Sequence, residues 1–254
     1  MIIKDKECII KLIDIGHWPS HFKMLATAVI SMPNKTSYDS PKSFCPIMLL
    51  NTIGKLFEKM IRERLQFHSI FNNFVHPCQL GRLKHRSIID VSIVLTHFIR
   101  SGWIKNISIS MLLFDITQFF LSLNYQLLPL ILDKAGFHYK ILNFFKNYFV
   151  GGKIKYLWNN FSSSSCNVDI SVGWSSALSP ILSTLYLFLI FYIFEKHIKN
   201  LKIPISILFF IDDGLFISQH KSLSISNTSL FCSYNIISNL FTKFKLVICQ
   251  NCKK

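Results

Sequence analysis

The sequence predicts an α+β fold, with helices covering one face of an antiparallel sheet. Three observations carry that expectation. The apolar runs Ile207–Ile211 and Leu215–Ile217 flank Asp212-Asp213-Gly214 and read as a buried hairpin with its tight turn at those three residues. Ile107–Phe114 is a second β-rich run, and it ends in Asp115. The longest greasy stretch, Ile181–Phe194, is 14 residues long, begins after Leu178-Ser179-Pro180 and ends at Glu195-Lys196-His197. Spanning a bilayer takes about 20 residues, so this stretch reads as a core helix.

The remaining elements follow in order. Helices are expected near 51–67 and 87–101, the second opened by Ser87 and Asp90 as a capping box. After the 107–114 strand come helices near 125–135 and 138–150, closed by Gly136 and by Gly151-Gly152. Lys153–Asn159 and Cys166–Val172, split by Ser162–Ser165, read as a hairpin. A helix over 178–198, the Asp-Asp hairpin, a helix near 224–242 and a last strand near 244–249 complete the chain. No repeat and no linker divides it. The N-terminus carries Lys4, Asp5, Lys6 and Glu7, so no secretory signal is expected.

Only 13 of the 254 residues are acidic, and Asp212 and Asp213 sit side by side between apolar runs. Adjacent anions repel, and desolvation worsens the repulsion unless a cation offsets it. Carboxylate oxygens at a hairpin suit a hard cation, Mg²⁺ first. Asp and Gly are also favoured in turns for backbone reasons alone, so an ordinary hairpin is the competing reading. Asp115 at the end of a neighbouring strand shifts the balance. Two-metal phosphoryl transfer needs cations about 4 Å apart, bridged by carboxylates from adjacent strands.

Charge points the same way. Lys and Arg number 28, for a formal charge of +15. Such a domain gains affinity for a phosphate backbone by counterion release, although lysines can also simply keep a greasy protein soluble. Lys55, Lys59, Arg62 and Arg64 fall on one expected helix, and Arg82, Lys84, His85 and Arg86 form a basic run. Cys249 and Cys252 form a lone CxxC without the second pair a zinc site needs.

The order of motifs resembles the reverse transcriptase domain of LINE-type (non-LTR) retrotransposons. Pro33-Asn34-Lys35 and Tyr38–Ile47 resemble the start of the fingers, and Leu49–Lys59 the first fingers helix. Gln79-Leu80-Gly81 with Arg86, Ser87 and Asp90 resembles the next block. Asp115-Ile116 with Phe120, then Gly173 with Ser176–Leu182, then Phe210-Ile211-Asp212-Asp213, resemble the palm blocks. The resemblance implies a polymerase palm, an antiparallel sheet backed by helices, with a mixed fingers subdomain and the thumb missing. Fingers would occupy 1–105 and palm 106–254, in one domain of about 30–254.

The implied chemistry is transfer of a deoxynucleotide to a primer 3′ end on an RNA template, with dNTP, RNA and DNA primer as partners and no stable membrane association. Asp115, Asp212 and Asp213 would be the catalytic, metal-holding carboxylates for two Mg²⁺ ions, with Mn²⁺ as a substitute. Phe120 would exclude a ribose 2′-hydroxyl, Arg86 would meet template or triphosphate, and Trp174 and Ser175 would line the nucleotide pocket. Trp174-Ser175 stands where the family pattern has Gln-Gly, and Cys45 where it has Arg. These departures imply a partly degenerate copy, and leave open a non-catalytic basic nucleic-acid-binding remnant. The family places such a protein in the nucleus or cytoplasm.

Overall fold

The computed structural model describes residues 10–81, 83, 86–168 and 176–249, with only the backbone of Lys42 and Leu121. Its elements begin with β1 (Met24–Ser31), β2 (Phe44–Leu49), α1 (Thr52–Phe71), α2 (Ile88–Ile104) and β3 (Ser108–Asp115). Then come α3 (Phe119–Ser122), α4 (Leu127–Lys134), α5 (Tyr139–Tyr148), β4 (Gly152–Trp158), β5 (Phe161–Ser162) and β6 (Cys166–Val168). The last are α6 (Ser179–Leu201), β7 (Ile205–Phe210), β8 (Asp213–His220) and α7 (Leu223–Lys243). The architecture is α+β, a palm-type arrangement of sheet and helices, as the sequence predicts. Two compact units result, residues 1–65 with 125–179 and residues 66–124 with 180–254.

The first unit is built on a sheet of order β2-β1-β4-β5, with β6 also paired to β4. β1 runs antiparallel to β2, from Ala26 opposite Leu49 to Ser31 opposite Phe44, and parallel to β4. Leu25, Thr27 and Ile154 turn inward. α4 buries Leu128, Ile131 and Leu132, and α5 buries Phe144, Phe145 and Tyr148. Those are the spacings of a single helical face. The Trp18 ring, buried, meets Phe144 edge-on at 5.8 Å and Tyr148 at 5.3 Å. The Lys23 ammonium donates to the carbonyls of Asn147 and Val150 at 2.7 and 2.9 Å, supplying donors the last turn of α5 leaves wanting.

The second unit holds the antiparallel sheet β3-β8-β7. One face is aromatic: Phe114 lies 5.5 Å from Phe209 and 5.0 Å from Phe216, with Tyr234 and Phe241 of α7 beyond. Phe191 and Phe194 of α6 pack on Phe209 and Phe216 at 4.5 and 5.4 Å. Each ring contributes about 1.5–3 kcal/mol by burial, and well-set ring pairs add about 0.5–1.5 kcal/mol. Six of the chain's 24 phenylalanines meet here. On the opposite face α2 packs against Ile109 and Ile217 is buried, while Leu113 at 76% and Met111 at 41% stay exposed.

Several expectations change. The helix predicted over 178–198 runs to 23 residues and is long and apolar enough to cross a membrane by length and composition. Its residues Leu182, Tyr186, Ile190, Phe191 and Phe194 are buried inside the protein, so it is no clear transmembrane span. β1 and β2 were not expected. β1 alternates small Ala26 and Ala28 with Leu25 and Thr27, and β2 carries Pro46, a residue only an edge strand tolerates. The expected strand at 244–249 is a single bridge, Ile116 to Ile248, flanked by N–H donation from Thr117 to Val247 and from Cys249 to Asp115, both 2.8 Å. The predicted hairpin of 153–159 with 166–172 forms as β4 and β6, although its end past Val168 lies outside the described residues. So does the second half of the CxxC.

Candidate active site

The β7–β8 hairpin differs from its sequence reading. Phe210 pairs with Asp213, so the two loop residues are Ile211 and Asp212, not Asp212, Asp213 and Gly214. Asp213 opens β8, and Gly214 lies within that strand. A Cβ at Gly214 would stand 2.4 Å from the Phe114 ring and 2.8 Å from the Phe209 ring, so glycine makes room for the aromatic core and not for the turn. Ile211 takes the left-handed conformation instead, at φ +66°. A β-branched side chain is strained there, and such strain persists only where the surroundings hold it.

β3 brings the third carboxylate alongside. Asp115 pairs in register with Asp213, and the Ile116 N–H donates to the Asp212 carbonyl at 3.2 Å. Strand alternation places Asp115 on the face of Leu113 and Met111, at the end α2 leaves exposed. Asp213 is exposed, and Asp115 and Asp212 are half-exposed. The fold thus gathers on one sheet end the three carboxylates the sequence singles out.

The block around Gln79 supports this tip. Pro77–Leu80 lies beside β7 as a parallel bridge of Gln79 with Phe209. The buried Gln79 Oε1 accepts from the N–H of Gly81 at 3.0 Å and of Ile211 at 3.1 Å, and its Nε2 donates to the Ile211 carbonyl at 3.3 Å. The Arg86 guanidinium donates to the Gln79 carbonyl at 2.5 Å. The Ser87 N–H donates to Asp90 at 2.6 Å, one arm of the expected capping box at the start of α2.

Phe120 sits half-exposed on α3, against the buried ring of Phe119 at 5.5 Å. Gln118, at φ +47°, turns the chain from β3 into that short helix. Trp174, Ser175 and Gly173 lie outside the described residues, as do Arg82, Lys84 and His85 of the basic run. Lys55, Lys59 and Arg64 are exposed on α1, while Arg62 is half-buried beside Glu63 at 2.6 Å.

A buried carboxylate in the first unit escaped the sequence reading. Glu58 of α1 is fully buried and accepts from the Tyr148 hydroxyl, the Ser176 hydroxyl at 2.8 Å and the Ala177 N–H at 2.9 Å. Burial pushes its pKa up, and those three donors and Lys55 work against the rise. Burial, then the Glu58 charge, lifts the Tyr148 phenol well above its usual value. Glu58 therefore pins Ser176 and Ala177, which follow Trp174-Ser175 in the sequence. Its only sequence signal was a lone acid on the apolar side of α1.

The donor set fits a hard divalent cation, since three carboxylates at an exposed sheet end supply oxygen ligands only. Among the described residues no group of three His, Cys, Asp or Glu side chains is placed to hold a metal ion, Asp115, Asp212 and Asp213 included. Mg²⁺ does not require one, because it is commonly held by one or two carboxylates together with water and substrate phosphates.

Comparison with known proteins identifies the family and similar folds. The model of a family described as reverse transcriptase (RNA-dependent DNA polymerase) matches residues 32–251. No curated protein matches the sequence. Among solved structures, apo telomerase from Candida tropicalis, truncated from its C-terminal domain, is similar with a TM-score of 0.60 at 11% identity, over 92% of this chain and 51% of that one. Telomerase from Candida albicans in complex with a TWJ fragment of telomeric RNA is similar with a TM-score of 0.60 at 11% identity, over 98% of this chain and 46% of that one. The chain spans about half the length of either.

Proposed function

Because the chain belongs to the reverse transcriptase (RNA-dependent DNA polymerase) family, we propose that it is the fingers and palm of an RNA-directed DNA polymerase of the LINE-type (non-LTR) kind. Residues 1–105 contribute mainly fingers and 106–254 mainly palm. The observation that carries the reading is the register of Asp115 with Asp213 beside the Ile211-Asp212 loop. Asp115 and Asp212, supported by Asp213, are the residues to hold two Mg²⁺ ions. Bound there, Mg²⁺ lowers the pKa of a primer 3′ hydroxyl and neutralises triphosphate charge.

The chain's own contribution is placement. The sheet presents anionic oxygens at an exposed end, and the aromatic packing behind Phe114 keeps that end from shifting. Phe120, five residues past Asp115, offers the ring that would bar a ribose 2′-hydroxyl. Arg86 adds positive charge for template or triphosphate and also acts through Gln79. RNA template, DNA primer and dNTP are the substrates of this reading, and the telomerase–RNA complex among the similar folds supports an RNA partner.

Primer extension on an RNA template with Mg²⁺ tests it. Incorporation should fall at least about a hundredfold in Asp115→Asn and Asp212→Asn, as the loss of charge stabilisation at a metal centre requires. Extension that survives Asp212→Asn refutes the carboxylate assignment. A non-catalytic nucleic-acid-binding role is the second reading, favoured by Trp174-Ser175 in place of Gln-Gly and by the +15 charge. Steeply salt-dependent RNA binding without Mg²⁺-dependent incorporation selects it.

A further inference from the structure

We infer that Gln79 is a positioning residue that holds the Ile211-Asp212 turn in its strained conformation, with Gly81 and Arg86 as its supports. The inference rests on the polymerase reading for its purpose, but on the geometry of the turn for its substance.

The turn needs a restraint from outside itself. Two-residue hairpin loops normally place Gly, Asn or Asp where φ must be positive. Here that position is Ile211, at φ +66°. Nothing in an isolated hairpin would keep an isoleucine there, because its Cβ branches crowd the backbone in the left-handed region.

The Gln79 carboxamide provides the restraint with both of its ends. Its oxygen takes the Ile211 N–H at 3.1 Å and its nitrogen gives to the Ile211 carbonyl at 3.3 Å. A primary amide is the side chain that can satisfy a backbone donor and acceptor of one residue together. Glutamate would lack the donor, and leucine would lack both. The same oxygen takes the Gly81 N–H at 3.0 Å, which fixes the carboxamide's own orientation.

The segment that carries Gln79 is itself anchored. The Gln79 N–H donates to the His76 carbonyl at 3.0 Å, the Phe209 N–H to the Cys78 carbonyl at 2.8 Å, and the Leu80 N–H to the Phe209 carbonyl at 2.8 Å. Arg86 closes the other side by donating to the Gln79 carbonyl at 2.5 Å. Gly81 permits the approach, since a Cβ there would stand 2.4 Å from the Ile211 nitrogen. The brace therefore reaches the residue directly before Asp212 from a segment 132 positions away.

Gln79→Met tests the role, because it keeps length and packing while removing both hydrogen-bonding groups. Three readouts apply to the full chain: amide exchange at Ile211, Mn²⁺ affinity by paramagnetic resonance, and single-nucleotide incorporation. Ile211 exchange should rise about tenfold or more as its N–H loses a buried partner. Mn²⁺ affinity should fall about tenfold, and kcat should fall with the dNTP KM nearly constant. Ile237→Val, a core change in α7, serves as the comparison and should lower the unfolding midpoint without moving Ile211 exchange.

Unchanged Ile211 exchange in folded Gln79→Met overturns the brace. Faster Ile211 exchange with unaltered Mn²⁺ affinity also overturns it, because the turn would then hold the carboxylates without Gln79. A parent protein that binds no Mn²⁺ even with primer–template and dNTP present sinks the polymerase reading instead, and Ile211 exchange still decides whether Gln79 holds the turn.

Discussion

Gly81→Ala should be among the most damaging single-methyl additions the chain can receive. Its Cβ would lie 2.4 Å from the Ile211 nitrogen, 2.6 Å from Ile211 Cγ1 and 3.1 Å from the Phe210 carbonyl carbon. Favourable contact between such atoms is about 3.5–4.0 Å, so the overlap exceeds one ångström against backbone that no rotamer change can move. Relieving it separates Gly81 from the β7–β8 loop. Overpacking of this kind costs about 1–3 kcal/mol. The displaced Ile211 and Gly81 amides lose Gln79 as acceptor, and each buried unsatisfied donor costs about 1–3 kcal/mol. Even with partial relaxation the total is about 3–5 kcal/mol. At about 2–4 °C per kcal/mol, the unfolding midpoint should fall by roughly 10 °C.

Gly102→Ala is the control. Its Cβ would stand 2.5 Å from Ile109 Cδ1 and 2.8 Å from Ile109 Cγ1, side-chain atoms that a rotamer change can move, and Ala gains about 1 kcal/mol of helix propensity inside α2. Its net effect should be within about 1 kcal/mol of zero. Urea denaturation of both variants, with the m-value followed, gives the comparison. If Gly81→Ala proves as stable as Gly102→Ala, the close approach to Ile211 is not what the glycine is for, and the support assigned to that segment fails with it.

Two further outcomes follow from the buried carboxylate and from Trp174-Ser175 in place of the family's Gln-Gly. Burial raises the Glu58 pKa, so the folded chain holds that proton more tightly than the unfolded one; stability from this group is full below the unfolded carboxylate range and is lost as pH rises through the raised native value. Glu58→Gln should flatten that part of the slope in urea midpoints taken from about pH 4 to pH 8, and an unchanged slope refutes the assignment. Replacing Trp174 by Gln together with Ser175 by Gly should increase single-nucleotide incorporation on an RNA template by about tenfold or more, since a bulky indole leaves and a hydrogen-bonding amide returns. No gain in a folded protein with normal template binding shifts the lesion to Cys45 in β2.

The sheet ends were legible because their signals are local. Ile107–Asp115 and Phe210–Asp213 each carry strand residues and carboxylates within a dozen positions, and the family's motif order placed them in one site. The helices α1, α2, α4, α5, α6 and α7 were legible for the same reason, through apolar spacing, glycine stops and the Ser87–Asp90 start. β1 and β2 were not, because Ala26, Ala28 and Pro46 have poor strand propensity and the strands are specified by their partners. The turn is read at 212–214 and lies at 211–212 because Asp-Gly is a strong local turn signal, and only the fit of Gly214 between Phe114 and Phe209 overrides it.

By itself the sequence determined the reverse transcriptase family and the α+β class, and it singled out three carboxylates as the expected site, since motif order, residue type and short-range periodicity are all written along the chain. Tertiary structure decided how those carboxylates are held. The Asp115–Asp213 register, the clasp of Gln79 on Ile211 across 132 residues and the anchoring of Ser176 by Glu58 across 118 are pairings between distant segments. Each depends on which buried donor finds which acceptor once the core has closed. A hydrogen bond of that kind leaves no periodic trace, because either partner alone looks like any other polar residue in the chain.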